Sequence, residues 1–149
     1  MFVGYYNSEI GIIKVIASEE AILLIDFIED KEKEKLNDLI IKCIKQLKEY
    51  FEGSRKDFDF PFKLQGTEFQ KIVWEFLLNI PYGEMLSYKE VAKGIRKEKS
   101  VRAVANAIGA NKLLILVPCH RVIGTNGTLT GFRAGLKRKE YLLNLENQI

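Results

Sequence analysis

Three short runs of β-branched and aromatic residues open the chain, Phe2–Tyr6, Ile10–Ala17 and Ala21–Phe27, separated by Asn7-Ser8-Glu9 and Ser18-Glu19-Glu20. Apolar runs divided by short polar breaks predict an antiparallel meander. The apolar period then changes. Leu36, Leu39, Ile40, Cys43, Ile44, Leu47 and Tyr50 recur at three- and four-residue intervals, so a long amphipathic helix is expected from about Lys31 to Phe51. From Gly53 to Gly66 the pattern loosens. Pro61, inside Phe58-Asp59-Phe60-Pro61-Phe62, points to an edge strand or an extended crossover, because proline cannot donate to a central ladder. A boundary between two lobes, 1–62 and 63–149, is expected there.

The second lobe reads as mainly helical. Thr67-Glu68-Phe69-Gln70 and Ser87-Tyr88-Lys89-Glu90 are capping boxes, whose side chains satisfy the first free N–H groups of a helix. The first helix should run to about Asn79 and stop at Pro81-Tyr82-Gly83, and the second should end near Gly94. Ser100 is expected to cap a third helix, Val101–Gly109. Two short helices across a tight turn suggest a helix-turn-helix. Val101, Val104 and Ile108 give the third helix an apolar ridge, while Arg102, Ala105, Asn106 and Gly109 form a nearly flat opposite side from which one long cation rises. A lone arginine on such a surface can reach into a duplex. Leu113–Val117 reads as a buried strand, Asn126-Gly127 as a tight reversal between Val122–Thr125 and Thr128–Gly131, and Leu136 to Glu146 as a closing helix. The fold class is α+β, with an α/β N-terminal lobe and a mainly helical C-terminal lobe.

Composition narrows the function. With 149 residues, 47% of them apolar, the chain can bury a real core. No run approaches the ~20 apolar residues of a membrane span, and Met1–Tyr6 lacks the basic start of a secretory leader, so a cytoplasmic location is expected. Two cysteines and one histidine make no disulfide framework and no four-ligand zinc site without carboxylates, and neither metal nor cofactor is expected. The net charge of +3 conceals an asymmetry: residues 1–62 hold 9 Lys and Arg against 13 Asp and Glu, whereas residues 63–149 hold 14 against 7. A basic lobe is the electrostatic footprint of a protein that meets phosphates.

The chemistry concentrates in Val117-Pro118-Cys119-His120-Arg121-Val122-Ile123-Gly124. Pro118 pushes Val117 toward an extended conformation and lacks an N–H, so Cys119 should be delivered into a turn. A free thiol ionises near pH ~8.5 and needs a neighbouring cation, base or helix terminus to react at neutral pH; His120 and Arg121 are the candidates for that help. A cysteine-protease dyad would need a histidine from elsewhere in the chain, and His120 is the only one. Cys43, on the helical stripe, has a structural role.

Pro118-Cys119-His120-Arg121-Val122 closely resembles the active-site signature of the O6-alkylguanine-DNA alkyltransferases, also known as methylated-DNA–protein-cysteine methyltransferases. The likeness extends over Gly66-Thr67, Phe69-Gln70, Val73-Trp74, Ile80-Pro81-Tyr82-Gly83-Glu84, Ser87-Tyr88, Arg102-Ala103-Val104, Asn111, Gly131-Phe132-Arg133 and Lys139 through Leu142-Leu143 to Glu146. It implies a ribonuclease-H-like first lobe, a second lobe with a helix-turn-helix of winged-helix type, and repair of DNA by direct reversal. Cys119 would accept the alkyl group from the O6 of a flipped guanine, irreversibly and once per chain. His120 would take the thiol proton through a water, Glu146 would orient His120, Tyr88 would donate a proton toward the departing base, and Asn111 would brace the turn. Arg102 would fill the space left in the stack. Lys89, Thr125 and Ala105, with Tyr88, would contact DNA, and Pro118, Gly131, Phe132 and Arg133 would wall the pocket. Lys112 and Leu114 stand where many members carry prolines, and the structural zinc of some relatives does not carry over.

Other functions fit less well. A lesion binder without chemistry would lack Cys119, a major-groove regulator would need base-reading side chains where Ala105 and Gly109 stand, and a redox sensor would need a nearby resolving cysteine. The expected partner is double-stranded DNA carrying O6-alkylguanine, with O4-alkylthymine as a second candidate lesion, met by a monomer that binds no membrane.

Overall fold

The computed structural model describes residues 1–147, so the end of the lobe expected over 63–149, Gln148 and Ile149, lies outside the described residues. The chain divides into two compact units, the first covering Met1–Leu64 and the second starting at Gln65.

In the first unit, β1 (Phe2–Ser8), β2 (Gly11–Ala17) and β3 (Ile22–Ile28) form an antiparallel sheet in that order. The alternation of β2 puts Ile13, Val15 and Ala17 into the core. Helix α1 (Asp38–Phe51) packs its buried stripe of Ile40, Cys43, Leu47 and Tyr50 over β1 and β2. Gly4 permits the approach, since a Cβ there would meet Ile40 Cγ2 at 2.4 Å. The helix expected from Lys31 starts seven residues later, at Asp38. Val3 and Lys35 exchange backbone hydrogen bonds of 2.8 and 2.9 Å, which holds the preceding segment extended, and Asn37 caps the helix by accepting from the Ile40 N–H at 2.9 Å. Leu36 therefore leaves the stripe and is exposed. The Pro61 segment is an extended crossover: Ile22 N–H donates to Pro61 O and Lys63 N–H to Ile22 O, so the proline faces away from the bonds it could not make.

In the second unit, both capping boxes form. Thr67 and Gln70 start α2 (Glu68–Leu77), and Ser87 and Glu90 start α3 (Tyr88–Gly94). Helix α4 (Val101–Gly109) packs on both, and the indole N–H of Trp74 donates to Ala107 O at 2.8 Å, tying α2 to α4 inside the core. Ser100 does not cap α4. A single 3-10 turn over Glu98–Ser100 runs directly into the helix, and the Ser100 side chain makes no capping bond.

One other expectation is corrected here. Leu113–Val117 is buried but is a tight turn and not a strand: Val117 N–H donates to Leu113 O at 2.9 Å, Leu116 N–H to Leu114 O at 2.8 Å, and Ile115 sits in the left-handed region at φ 73°. A continuous apolar run reports burial and cannot distinguish a strand from a compact reversal. The Asn126-Gly127 reversal forms as expected, with Gly127 at φ 82° and Gly124 N–H donating to Thr128 O, and Val122–Ile123 (β5) pairs in parallel with Leu86–Ser87 (β4). That pairing ties the residues leaving Cys119 to the start of α3. Helix α5 (Leu136–Asn147) closes the chain.

Candidate active site

Cys119 opens a single 3-10 turn, Cys119–Arg121, with Pro118 at its N-terminal edge and β5 immediately after. Cys119 is 4% exposed. Its position is set by Asn111, whose Nδ2 donates to Val117 O at 2.9 Å and to Cys119 Sγ at 3.2 Å, while Asn111 Oδ1 accepts from Leu113 N–H at 2.9 Å. One amide thus spans the Leu113–Val117 turn and the sulfur. Burial pushes the Cys119 thiol up to about 11, against the opposing pull of the Asn111 hydrogen bond and of the charges on Lys139 and Arg133.

His120 and Glu146 lie beside it, both buried, with His120 Nε2 and Glu146 Oε2 2.6 Å apart. Burial pushes the Glu146 carboxyl upward, but the hydrogen bonds and charges of His120 and Arg121 outweigh it and hold the group well below the usual carboxylate range. An ionised Glu146 can only accept, so Nε2 carries the proton and Nδ1 is the basic nitrogen of the neutral ring. Burial lowers the imidazole's affinity for a second proton, partly offset by Glu146. Nδ1 is buried and has no protein partner.

Arg121 does not assist the thiol. Its guanidinium forms a two-pronged bond to Glu146, Nε to Oε1 at 2.8 Å and Nη2 to Oε2 at 3.0 Å, and Nη1 donates to Ile80 O at 2.6 Å. The Gly83 N–H adds a bond to Glu146 Oε1 at 3.2 Å. Glu146 is therefore fixed from three sides.

Cys119 forms part of the floor of a cavity of about 770 Å³. Tyr88 from α3, Arg102 and Ala105 from α4, and Thr125, Gly131, Phe132 and Arg133 from the following loop line it. The structure brings these expected residues together, along with Asn106 and Leu114, to which sequence reasoning assigned no place in the site. Lys89 and Pro118 do not line the cavity: Lys89 is exposed on α3 and Pro118 is buried behind the cysteine. The Tyr88 hydroxyl donates to Thr130 O at 2.8 Å and approaches Gly131 O at 3.1 Å. Arg133 Nη2 donates to Asn111 O at 2.7 Å, joining the pocket wall to the Cys119 turn. Arg102 is exposed at the cavity's edge, on the side of α4 that carries Ala105, Asn106 and Gly109.

Comparison with known proteins agrees with this geometry. Residues 1–64 match the family described as the 6-O-methylguanine DNA methyltransferase ribonuclease-like domain, and residues 68–148 match its DNA binding domain. The methylated-DNA–protein-cysteine methyltransferase of Methanosarcina acetivorans is 43% identical over 98% of this chain and 98% of its own. The inducible enzyme of that name from Bacillus subtilis is 52% identical over 69% of this chain and 58% of its own. Among solved structures, the O6-methylguanine methyltransferase of Mycobacterium tuberculosis superposes with a TM-score of 0.89 at 37% identity, covering 99% of this chain and 93% of that one. Its complex with DNA gives 0.89 at 38%, covering 97% and 91%. A buried cysteine held by an asparagine, beside a glutamate-bound histidine and under an arginine-bearing helix, thus occurs in a chain that belongs to the 6-O-methylguanine DNA methyltransferase family.

Proposed function

We propose that this chain repairs DNA by taking the alkyl group from the O6 of a modified guanine onto Cys119. It is a methylated-DNA–protein-cysteine methyltransferase, and the observation that carries the assignment of the acceptor is the contact set of Cys119: Asn111 on its sulfur, His120 next in the chain with its basic nitrogen defined by Glu146, and the 770 Å³ cavity above it.

The chemistry follows from these contacts. The thiol proton passes through a water to His120 Nδ1, and the imidazolium so formed is stabilised by Glu146. The sulfur attacks the O6-bound carbon, the S–C bond forms as the C–O6 bond breaks, and the electron pair of that bond leaves on the guanine oxygen. A proton delivered toward the ring by Tyr88 neutralises the departing base, after its hydroxyl exchanges the Thr130 carbonyl for guanine. Duplex DNA is the expected substrate, since Arg102 rises at the cavity mouth where it can occupy the gap left by a flipped nucleotide. Ala105, on the same side of α4, lets the backbone approach DNA closely, and the exposed Thr125 and Lys89 would reach its phosphates. The protein acts as a monomer and needs no metal or cofactor for a displacement of this kind.

The test is intact-mass measurement after incubation with an oligonucleotide carrying O6-methylguanine. The expected result is a gain of one methyl group, mapped to the peptide containing Cys119. Transfer to Cys43, or no gain in mass, overturns the reading.

A further inference from the structure

Lys139 is a fully buried lysine on α5. Its ammonium donates to three backbone carbonyls, Val122 O, Thr130 O at 2.8 Å and Gly131 O at 3.2 Å, and it stands over the Tyr88 ring at 5.6 Å from the centroid. All three protons are used on neutral acceptors. Among the described residues no carboxylate pairs with it: of the two acids on the same helix, Glu140 is exposed and Glu146 is taken by His120 and Arg121. A buried charge without a counter-ion is costly and needs a reason. The groups facing this region are the Cys119 thiol, the His120 ring, the Tyr88 hydroxyl, the Arg133 guanidinium and the Glu146–Arg121 pair. Of these, the Tyr88 hydroxyl gains a negative charge only after its proton has passed to the departing base, and the thiol is the group that must become an anion before the S–C bond forms.

We propose that Lys139 is a positioning residue for alkyl transfer: its ammonium is the built-in counter-charge of the Cys119 thiolate, and its carbonyl bonds hold the pocket wall at Thr130 and Gly131 to the strand leaving Cys119. This rests on the reading of Cys119 as the acceptor. Burial lowers the Lys139 ammonium to about 8, with the cysteine's charge acting in the opposite sense, while Lys139 in turn is one of the two cations that hold the Cys119 thiol down. Both effects describe one coupling seen from its two ends, and linkage makes it reciprocal. Lys139 still carries its charge at neutral pH, where the reaction needs a thiolate, and loses it as the pH rises past about 8.

The test follows the rate of reaction with free O6-benzylguanine against pH in a Cys43→Ser background, comparing Lys139→Met and Lys139→Arg with the parent. Removal of a nearby opposite charge should slow the reaction at pH 7 by roughly tenfold, and the deficit should close as the pH rises past about 8, where the parent's own lysine is discharged. Lys139→Arg, which keeps its charge, should react like the parent at pH 7 and outpace it above about pH 8. A Lys139→Met protein slowed equally at every pH overturns the proposal, because loss of the carbonyl bonds alone would do that. Where the methionine variant does not fold, the parent and Lys139→Arg carry the test, and an identical pH dependence of their rates across about pH 8 overturns the coupling. These rates do not depend on transfer from methylated DNA, so failure of the functional reading would show separately.

Discussion

Burial holds the Cys119 thiol up near 11, so the resting sulfur is neutral and must be deprotonated within the site as it reacts. The second thiol, Cys43 in α1, is pushed still higher by burial alone. Cys119→Ser should therefore abolish alkyl transfer while leaving affinity for methylated DNA within about twofold, and Cys43→Ser should leave transfer intact, as read by intact mass and gel shift. Glu146 serves two neighbours at once, fixing the proton on His120 Nε2 and neutralising Arg121. Glu146→Gln removes both functions. It should slow transfer by tenfold or more and, by leaving a buried guanidinium without its partner, cost about 3–5 kcal/mol in a denaturant melt. The pH dependence has a definite sign. Because the folded protein lowers the Glu146 pKa, its contribution is complete above the unfolded value of ~4.3 and is lost as pH falls below it. The acid limb of a stability–pH curve should accordingly flatten in Glu146→Gln.

At the level of elements, the starts of α2, α3 and α4 make a controlled comparison. Thr67 and Ser87 each accept from a backbone N–H, at 3.1 and 3.0 Å, whereas Ser100 makes no such bond. Thr67→Ala and Ser87→Ala should each cost about 1 kcal/mol, and Ser100→Ala should stay within about 0.5 kcal/mol. The same contrast explains what could be read from the residues beforehand. A complete capping box names both partners of two hydrogen bonds, so α2 and α3 were legible; a lone serine names half of one, and a 3-10 turn displaced it. The start of α1 was hidden because the Val3–Lys35 pairing joins residues distant in sequence, which no local period encodes. Ile115 is the extreme case: a β-branched residue at φ 73° is disfavoured by its own propensity and is held there by burial and by the bonds bracketing the turn. The cysteine and its histidine were evident from the signature, whereas the duty of Arg121 to Glu146 and the three-carbonyl seat of Lys139 depend on how α5 folds back. Arg102 belongs to this scale too, since its exposed place on α4 gives it no contact with the sulfur. Arg102→Ala should slow repair of duplex substrate by tenfold or more while changing the reaction with free O6-benzylguanine by less than about twofold, because only a duplex must have its stack refilled. Equal losses in the two rates would place Arg102 in the chemistry or in folding.

Over the whole molecule, transfer converts one titratable group into a thioether, and that change can be followed in the stability of the fold. A thioether is a poor leaving group and, among the described residues, the other cysteine is buried in α1 of the first unit, so excess methylated DNA should yield one transfer per chain and then no more. The added methyl enters a site where the cysteine is 4% exposed and bonded to Asn111, and overpacking of that kind costs about 1–3 kcal/mol. The product should melt lower than the parent at neutral pH. The size of that difference should depend on pH, with a sign that follows from the thiol. In the unmodified protein the folded state keeps the Cys119 proton up to about 11, whereas the unfolded chain releases it near ~8.5, so the thiol's contribution to stability is complete below the lower value and disappears through the upper one. The methylated protein has no such group to lose. Lys139 acts in the reverse direction in both forms, since its pKa in the fold is lowered to about 8, and a charge that is costly to bury is released as pH rises. Its contribution largely cancels when the two forms are compared. The stability gap between parent and product should therefore narrow by on the order of 2 kcal/mol between neutral pH and pH ~10.5, measured by denaturant unfolding of both forms in parallel. A gap that stays constant across that range would mean that the fold does not raise the Cys119 pKa, and that the thiol already ionises as readily as one in an open chain.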